Sequence, residues 1–209
     1  MNMDIVRIAR NVNFAQLRDE SFWGSAYKNI INAWIIDPCK ILYNEGNFQY
    51  EHGIAVLSLE LLFFEPHGKL LNPDLTRHGE LFINGLVGFF NYLKNNMIDN
   101  DCDDLRQSIW KQARCGLFHS LKLESDIMID AQNVTYKVIS TNNMFNGNWG
   151  RYLINPWKLL FELEKYIEKY VNDIMDNKNI ELGNYFRRGF KNLIMKPLQN
   201  FERHINKQI

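Results

Sequence analysis

The stretch YEHGIAVLSLELLFFE, residues 50–65, decides the fold class. Ile54, Ala55, Val56, Leu57, Leu59, Leu61, Leu62, Phe63 and Phe64 leave almost no polar face, so a helix built from it must be covered on every side. The flanks supply the cover. Upstream, residues 21–36 read as a helix with Ser21 as N-cap and Trp23, Tyr27, Ile30, Ile31 and Trp34 at helical spacing. Asp37-Pro38 ends that helix or begins a short second one. Downstream, Pro66-His67-Gly68 is expected to stop the central helix. Residues 74–93 then form the next, with Leu81, Phe82, Leu86, Phe89 and Phe90 as its apolar stripe.

A loop rich in acid (Asp99, Asp101, Asp103, Asp104) follows, and Asp103 or Asp104 caps a fourth helix running to about residue 121. The period then changes. Ile127-Met128-Ile129 and the run from Val134 to Ile139 are short and β-branched, so they read as a hairpin. Residues 142–150 form a polar loop. Pro156 sits at the favoured first turn of a helix reaching about residue 176. A last helix covers residues 181–202, interrupted near Pro197. The expected architecture is therefore all-α: a single helical-bundle domain over residues 1–209 with a small hairpin insertion at about 126–140.

Composition narrows the function classes. Apolar residues make up 46% and charged residues 23% of 209, an ordinary globular balance that excludes wholesale disorder. Lys+Arg equals Asp+Glu, 24 each, so no global field draws in nucleic acid. The charge is uneven, however: from Lys178 onward seven basic residues stand against Glu181 and Glu202. Three scattered cysteines (Cys39, Cys102, Cys115) without a CxxC spacing argue against a disulfide framework or a zinc site. They suit a reducing cytoplasm. Asp4, Arg7 and Arg10 break the N-terminal apolar run, and no stretch has the length of a membrane span. A cytoplasmic protein with no membrane partner is expected.

The fourth helix carries the chemistry. At about 100° per residue, Leu105, Ile109, Trp110, Ala113, Gly116 and Leu117 share one apolar stripe. Arg114 and His119 fall just off its two edges, about 140° apart, with Lys111, Cys115, Phe118 and Lys122 on the face between them. An aromatic there is out of place on a merely solvated face, so this second face is expected to meet a partner.

The string Arg114-Cys115-Gly116-Leu117-Phe118-His119, late in a helix of a helical domain, resembles the Rx4–6H signature of HEPN proteins. The spacing alone recurs by chance in a chain of this size. Its helical context carries the resemblance, which covers roughly residues 20–121 and the helix after Pro156. It implies a metal-independent endoribonuclease without a cofactor, of the kind found in toxin–antitoxin and antiphage defence systems. It also implies a homodimer with the signature helices facing one RNA-binding cleft, and an antitoxin as a possible partner.

The resemblance further implies roles. His119 would transfer protons, since imidazole titrates in the useful range. Arg114 would offer a planar, always-charged fork to phosphate. An acidic partner on an earlier helix is expected, and Glu60, hemmed in by Val56, Leu57, Phe63 and Phe64, is the candidate to orient Arg114. Lys111, Lys122, Arg187 and Arg188 are candidate RNA-backbone contacts, the last two among the interleaved Tyr185, Phe186 and Phe190. Active members commonly carry a polar residue after the arginine, where this chain has Cys115. A non-catalytic module binding RNA, a nucleotide or a protein therefore stays open beside the enzyme. His52, His67 and His78, each followed by glycine, lack the spacing of a metal set; His67 is expected in a turn and His78 in a first helical turn.

Overall fold

The computed structural model describes residues 7–9, 12–45, 49–93, 97–99, 102–120, 123, 126–141, 151–176 and 179–206. It is mostly helical with small sheets, as expected. A two-stranded antiparallel ribbon, β1 (Arg7–Ala9) and β2 (Val12–Asn13), leads into α1 (Trp23–Ile31) and α2 (Asp37–Asn44). The entry to α1 is capped by Asp19, whose carboxylate accepts from the Ser21 N–H and hydroxyl, rather than by Ser21 itself. Ser21 lies inside the tight turn Glu20–Phe22 that precedes α1, so its N–H is itself a free donor, and Asp19 satisfies it.

The central helix α3 spans Tyr50–Leu71 and packs most extensively against α4 (His78–Leu93). Pro66-His67-Gly68 does not stop it. Pro66 removes one rung of the helix ladder, the one to the Leu62 carbonyl, and Leu62 is exposed, so the loss falls at the surface. Gly68 is there for packing. A Cβ on it would lie 1.8 Å from the Leu81 carbonyl oxygen, and one on Gly85 would lie 2.0 Å from that of Phe64. The two backbones touch, and the Asn84 side chain donates to the Gly68 carbonyl across the crossing at 3.0 Å.

Three helical turns are widened to i→i+5 bonding: Asn32–Ile36, Ile109–Arg114 and Lys191–Met195. The first joins α1 to α2, the third joins α8 (Ile180–Phe190) to α9 (Lys196–Asn206). Each of these two lies just before a proline, Pro38 or Pro197. A proline ring collides with the carbonyl four residues back, and a wider turn moves that carbonyl aside. The chain therefore stays helical through both prolines, where the sequence reading ended or interrupted it. The inserted residue also rotates the first helix, burying Ile35 and Ile36 and leaving Trp34 55% exposed instead of in the core stripe.

The expected hairpin is replaced by a mixed three-stranded sheet. β3 (Ile127–Ile129) pairs parallel with β5 (Tyr152–Ile154), and β4 (Ile139–Thr141) pairs antiparallel with β5 on its other side. The cause is a polar knot in the segment between β3 and β4. Asp130 accepts from the Val134 and Thr135 N–H groups and the Thr135 hydroxyl. Asn133 turns the chain with φ 57°. Buried Asn155 donates to Asp130, Asn133 and the Thr135 carbonyl, while its own oxygen caps α7 (Pro156–Met175) through the Lys158 N–H. Val134 and Thr135 are thus committed to side-chain bonds, and Val138 bonds through its backbone to Met97 and Asn155, so this run does not pair with β3. The loop expected at 142–150 lies outside the described residues.

The buried residues form one contiguous apolar cluster from Val12 to Met195. Inside it His67 bridges Tyr27 (2.9 Å) and Tyr166 (2.7 Å) and stacks on Phe63. It is a helical core residue, and the turn expected for it is absent because α3 continues. Burial pulls its imidazole down to about 3. Among the described residues no helix is long and apolar enough to cross a membrane.

Candidate functional site

The fourth helix runs as α5 (Asp103–Ser108), the widened turn Ile109–Arg114, and α6 (Cys115–Ser120). Of its expected apolar stripe, Leu105, Ile109, Ala113, Gly116 and Leu117 are buried, while Trp110 is half-buried and turns to Arg114. In the widened turn the Cys115 N–H donates to the carbonyl of Trp110, five residues back. No proline follows. The helix is fastened to the sheet at this turn, since Gln112 accepts from the Asp126 N–H at 2.6 Å and donates back to the Asp126 carboxylate.

Arg114 sits at the end of the widened turn with its guanidinium between two rings. Its Cζ lies 5.2 Å from the Trp110 ring centroid and 5.0 Å from that of Phe118. Cation–π contacts of this kind hold the planar head edge-on to its partners. In that plane it reaches Glu65 on α3, at 3.2 Å from Oε2. The other oxygen of Glu65, Oε1, holds Nδ1 of His78, the first residue of α4. Arg114 and Glu65 are each 22% exposed and His78 is 78% exposed. One carboxylate thus joins a half-buried cation on one helix to an open imidazole on another. A shallow cavity of about 420 Å³, lined by Arg77, Gly79, Glu80, Ile83, Gln107 and Trp110, shares the Trp110 ring with the Arg114 clamp.

The sequence-derived candidates separate accordingly. His119 and Lys111 are exposed on the helix, and Phe118 is 39% exposed, as the second face requires. Cys115 is half-buried with a free thiol. Lys122 lies outside the described residues. Glu60 does not orient Arg114. It is fully buried, and neither carboxylate oxygen has a hydrogen-bond partner among the described residues. Burial therefore raises its carboxyl well above the usual range, and it is held as the neutral acid. The acidic partner is Glu65, five residues further on, in the part of α3 that the sequence reading treated as its end. Arg187 and Arg188 are exposed on α8, but each is engaged: Arg187 with Asn184, Arg188 with Asp74 in the α3–α4 connection.

Two residues of this arrangement were missed, Trp110 as part of the clamp and His78, and a closer reading of spacing would have found the first. Trp110, Arg114 and Phe118 recur every four positions, aromatic, cation, aromatic, which places them on one helical face. His78 had no such sign, because its link to Glu65 depends on where α3 crosses α4. Against known proteins, no family model matches the chain, and no curated protein or solved structure matches it.

Proposed function

We propose that the chain is a HEPN-type, metal-independent endoribonuclease that works as a homodimer in the cytoplasm, in antiphage defence or as a toxin held by an antitoxin. The observation that supports this most is the division of the 103–120 helix. Its buried stripe anchors it to the core, while Arg114, His119, Lys111 and the exposed ring of Phe118 occupy the outward side. Such a face suits a cleft shared with a second copy.

In the proposed reaction the RNA 2′-OH attacks the adjacent phosphorus as its proton leaves. The P–O5′ bond breaks, and the 5′-oxygen takes up a proton. The products are a 2′,3′-cyclic phosphate and a 5′-hydroxyl, and no further reactant is needed. His119 serves the proton transfer, and Arg114 stabilises the added charge on phosphorus. Glu65 holds Arg114 in line for this.

A second reading is favoured by one specific observation. The Arg114 guanidinium is already held by Glu65 and by two rings, and the residue after it is Cys115, a poor donor. That arrangement equally suits a non-catalytic module that binds RNA. Purified protein incubated with mixed RNA in EDTA separates the two. Cleavage that is lost in His119→Ala supports the nuclease; retention of RNA without cleavage by both proteins supports the binding module.

A further inference from the structure

Resting on the nuclease reading, we infer that His78, held by Glu65, is a second catalytic histidine, which protonates the leaving 5′-oxygen of RNA bound beside Trp110. Strand cleavage needs two proton transfers at separate oxygens, one taking the 2′-OH proton and one supplying the 5′-oxygen. His119 supplies one imidazole for these two tasks. His78 supplies another, in an arrangement built for the work.

A carboxylate only accepts hydrogen bonds, so the contact with Glu65 fixes the proton on Nδ1 of His78 and leaves Nε2 on the far side of the ring as the nitrogen for substrate. An orienting carboxylate behind an open imidazole is the general form of a proton-transfer dyad. The same carboxylate reaches Arg114 at 3.2 Å, which ties the imidazole to the phosphate-stabilising cation. The ring itself is open to substrate, being 78% exposed. The neighbouring cavity of about 420 Å³ is lined by Arg77 and Gly79, the chain neighbours of His78, and by Trp110, the ring that also bears on Arg114. Arg77, 83% exposed and bonded to Glu80 of the same lining, can exchange that surface pair for a backbone phosphate, and the half-buried Trp110 ring, packed on Phe82, leaves an edge to a base. In the step itself, protonated His78 gives its Nε2 proton to the 5′-oxygen as the P–O5′ bond breaks, and it is left neutral with Nδ1–H still on Glu65.

The test compares an ordinary oligoribonucleotide with one carrying sulfur at the bridging 5′ position, a leaving group that departs without a proton. His78→Ala is expected to cut cleavage of the oxygen substrate by roughly 100-fold or more and to cleave the sulfur substrate within a few-fold of wild type. Glu65→Gln should show the same pattern in weaker form. His119→Ala should fail on both substrates. His78 is exposed, so its replacement leaves the core intact, and an unchanged circular-dichroism melt checks this. A His78→Ala protein that cleaves the oxygen substrate as wild type does, or loses both substrates equally, overturns the role of His78 while the nuclease reading stands. A wild-type protein that cleaves neither substrate overturns both.

Discussion

Gly68 and Gly85 meet backbone to backbone where α3 crosses α4, so closely that a methyl on either would overlap a carbonyl oxygen of the other helix. This contact sets the site. It brings the α3 surface that carries Glu65 against the start of α4, where His78 projects, and no larger residue permits that approach. Everything proposed for Glu65 rests on this crossing.

Gly68→Ala or Gly85→Ala is therefore expected to destabilise the fold by about 3 kcal/mol, the upper part of the overpacking range, because the clash is with backbone and no rotamer relieves it. Urea denaturation measures it. Gly183, where an added Cβ finds nothing nearer than 3.9 Å, is the control, and Gly183→Ala should be neutral or slightly stabilising. Equal effects at the three positions would contradict the close crossing.

How much of this was legible beforehand follows from the range over which each contact acts. The apolar density of α3, the stripe of the 103–120 helix and the Pro156 start of α7 are local patterns, and the helices they predict are present. The continuation of α3 through Pro66 was not legible, because a proline ends a helix in isolation and only the exposure of Leu62 makes the lost rung harmless. Trp34 was misplaced because one widened turn shifts the phase of all that follows. The hairpin failed for a different reason: Asp130 and Asn155 are 25 residues apart, and their bond, with those of Val134 and Thr135 to Asp130, commits residues 130–135 to a turn. At the site, Arg114 and His119 could be read from one helix, whereas Glu65 and His78 belong to a crossing between two others.

Glu60 gives a prediction with a definite sign. Its buried carboxyl keeps its proton in the folded chain above the ordinary value of 4.5, at which the unfolded chain releases it. Above that pH the folded state binds more protons, so the stability of the protein falls as pH rises. Glu60→Met removes the cost. The variant is expected to be about 1–3 kcal/mol more stable than wild type at pH 8, with a smaller gain at pH 5. Denaturation midpoints at the two pH values decide it, and a variant less stable at pH 8 would mean that a partner satisfies the carboxylate.

His67 acts on the acid side. Its folded value of about 3 lies below the ordinary 6.5, so between these limits the unfolded chain takes up the proton and the folded chain does not. Stability is complete above 6.5 and lost as pH falls through the window, by roughly 2–3 kcal/mol between pH 6.5 and 4.5. His67→Gln, which retains a donor and an acceptor for Tyr27 and Tyr166, should lower stability overall and flatten that acid slope. If the slope persists unchanged in the variant, another group is responsible for it.

Arg114→Lys keeps the charge and loses the planar fork and the contacts with Trp110 and Phe118. Cleavage is expected to drop by about 100-fold with little change in RNA affinity, since a point charge attracts the backbone but does not match the developing charge on phosphorus. The thermal midpoint should move little, because a partly exposed ion pair contributes at most about 1 kcal/mol. Kinetics at saturating RNA separate the two effects. A loss confined to affinity would place Arg114 in binding alone.

The widened turn at Ile109–Arg114 has one more implication. Such a turn holds one residue beyond what an α-helical frame requires. At Asn32–Ile36 and Lys191–Met195 a proline downstream accompanies the surplus; at Ile109–Arg114 none does. Removing one residue here would close the turn into regular helix and keep Arg114 and His119 in their mutual phase, while turning Trp110, together with buried Leu105 and Ile109, by about 100° relative to them. The length of this one turn, independent of any side chain in it, is then a dial for how firmly the arginine is held.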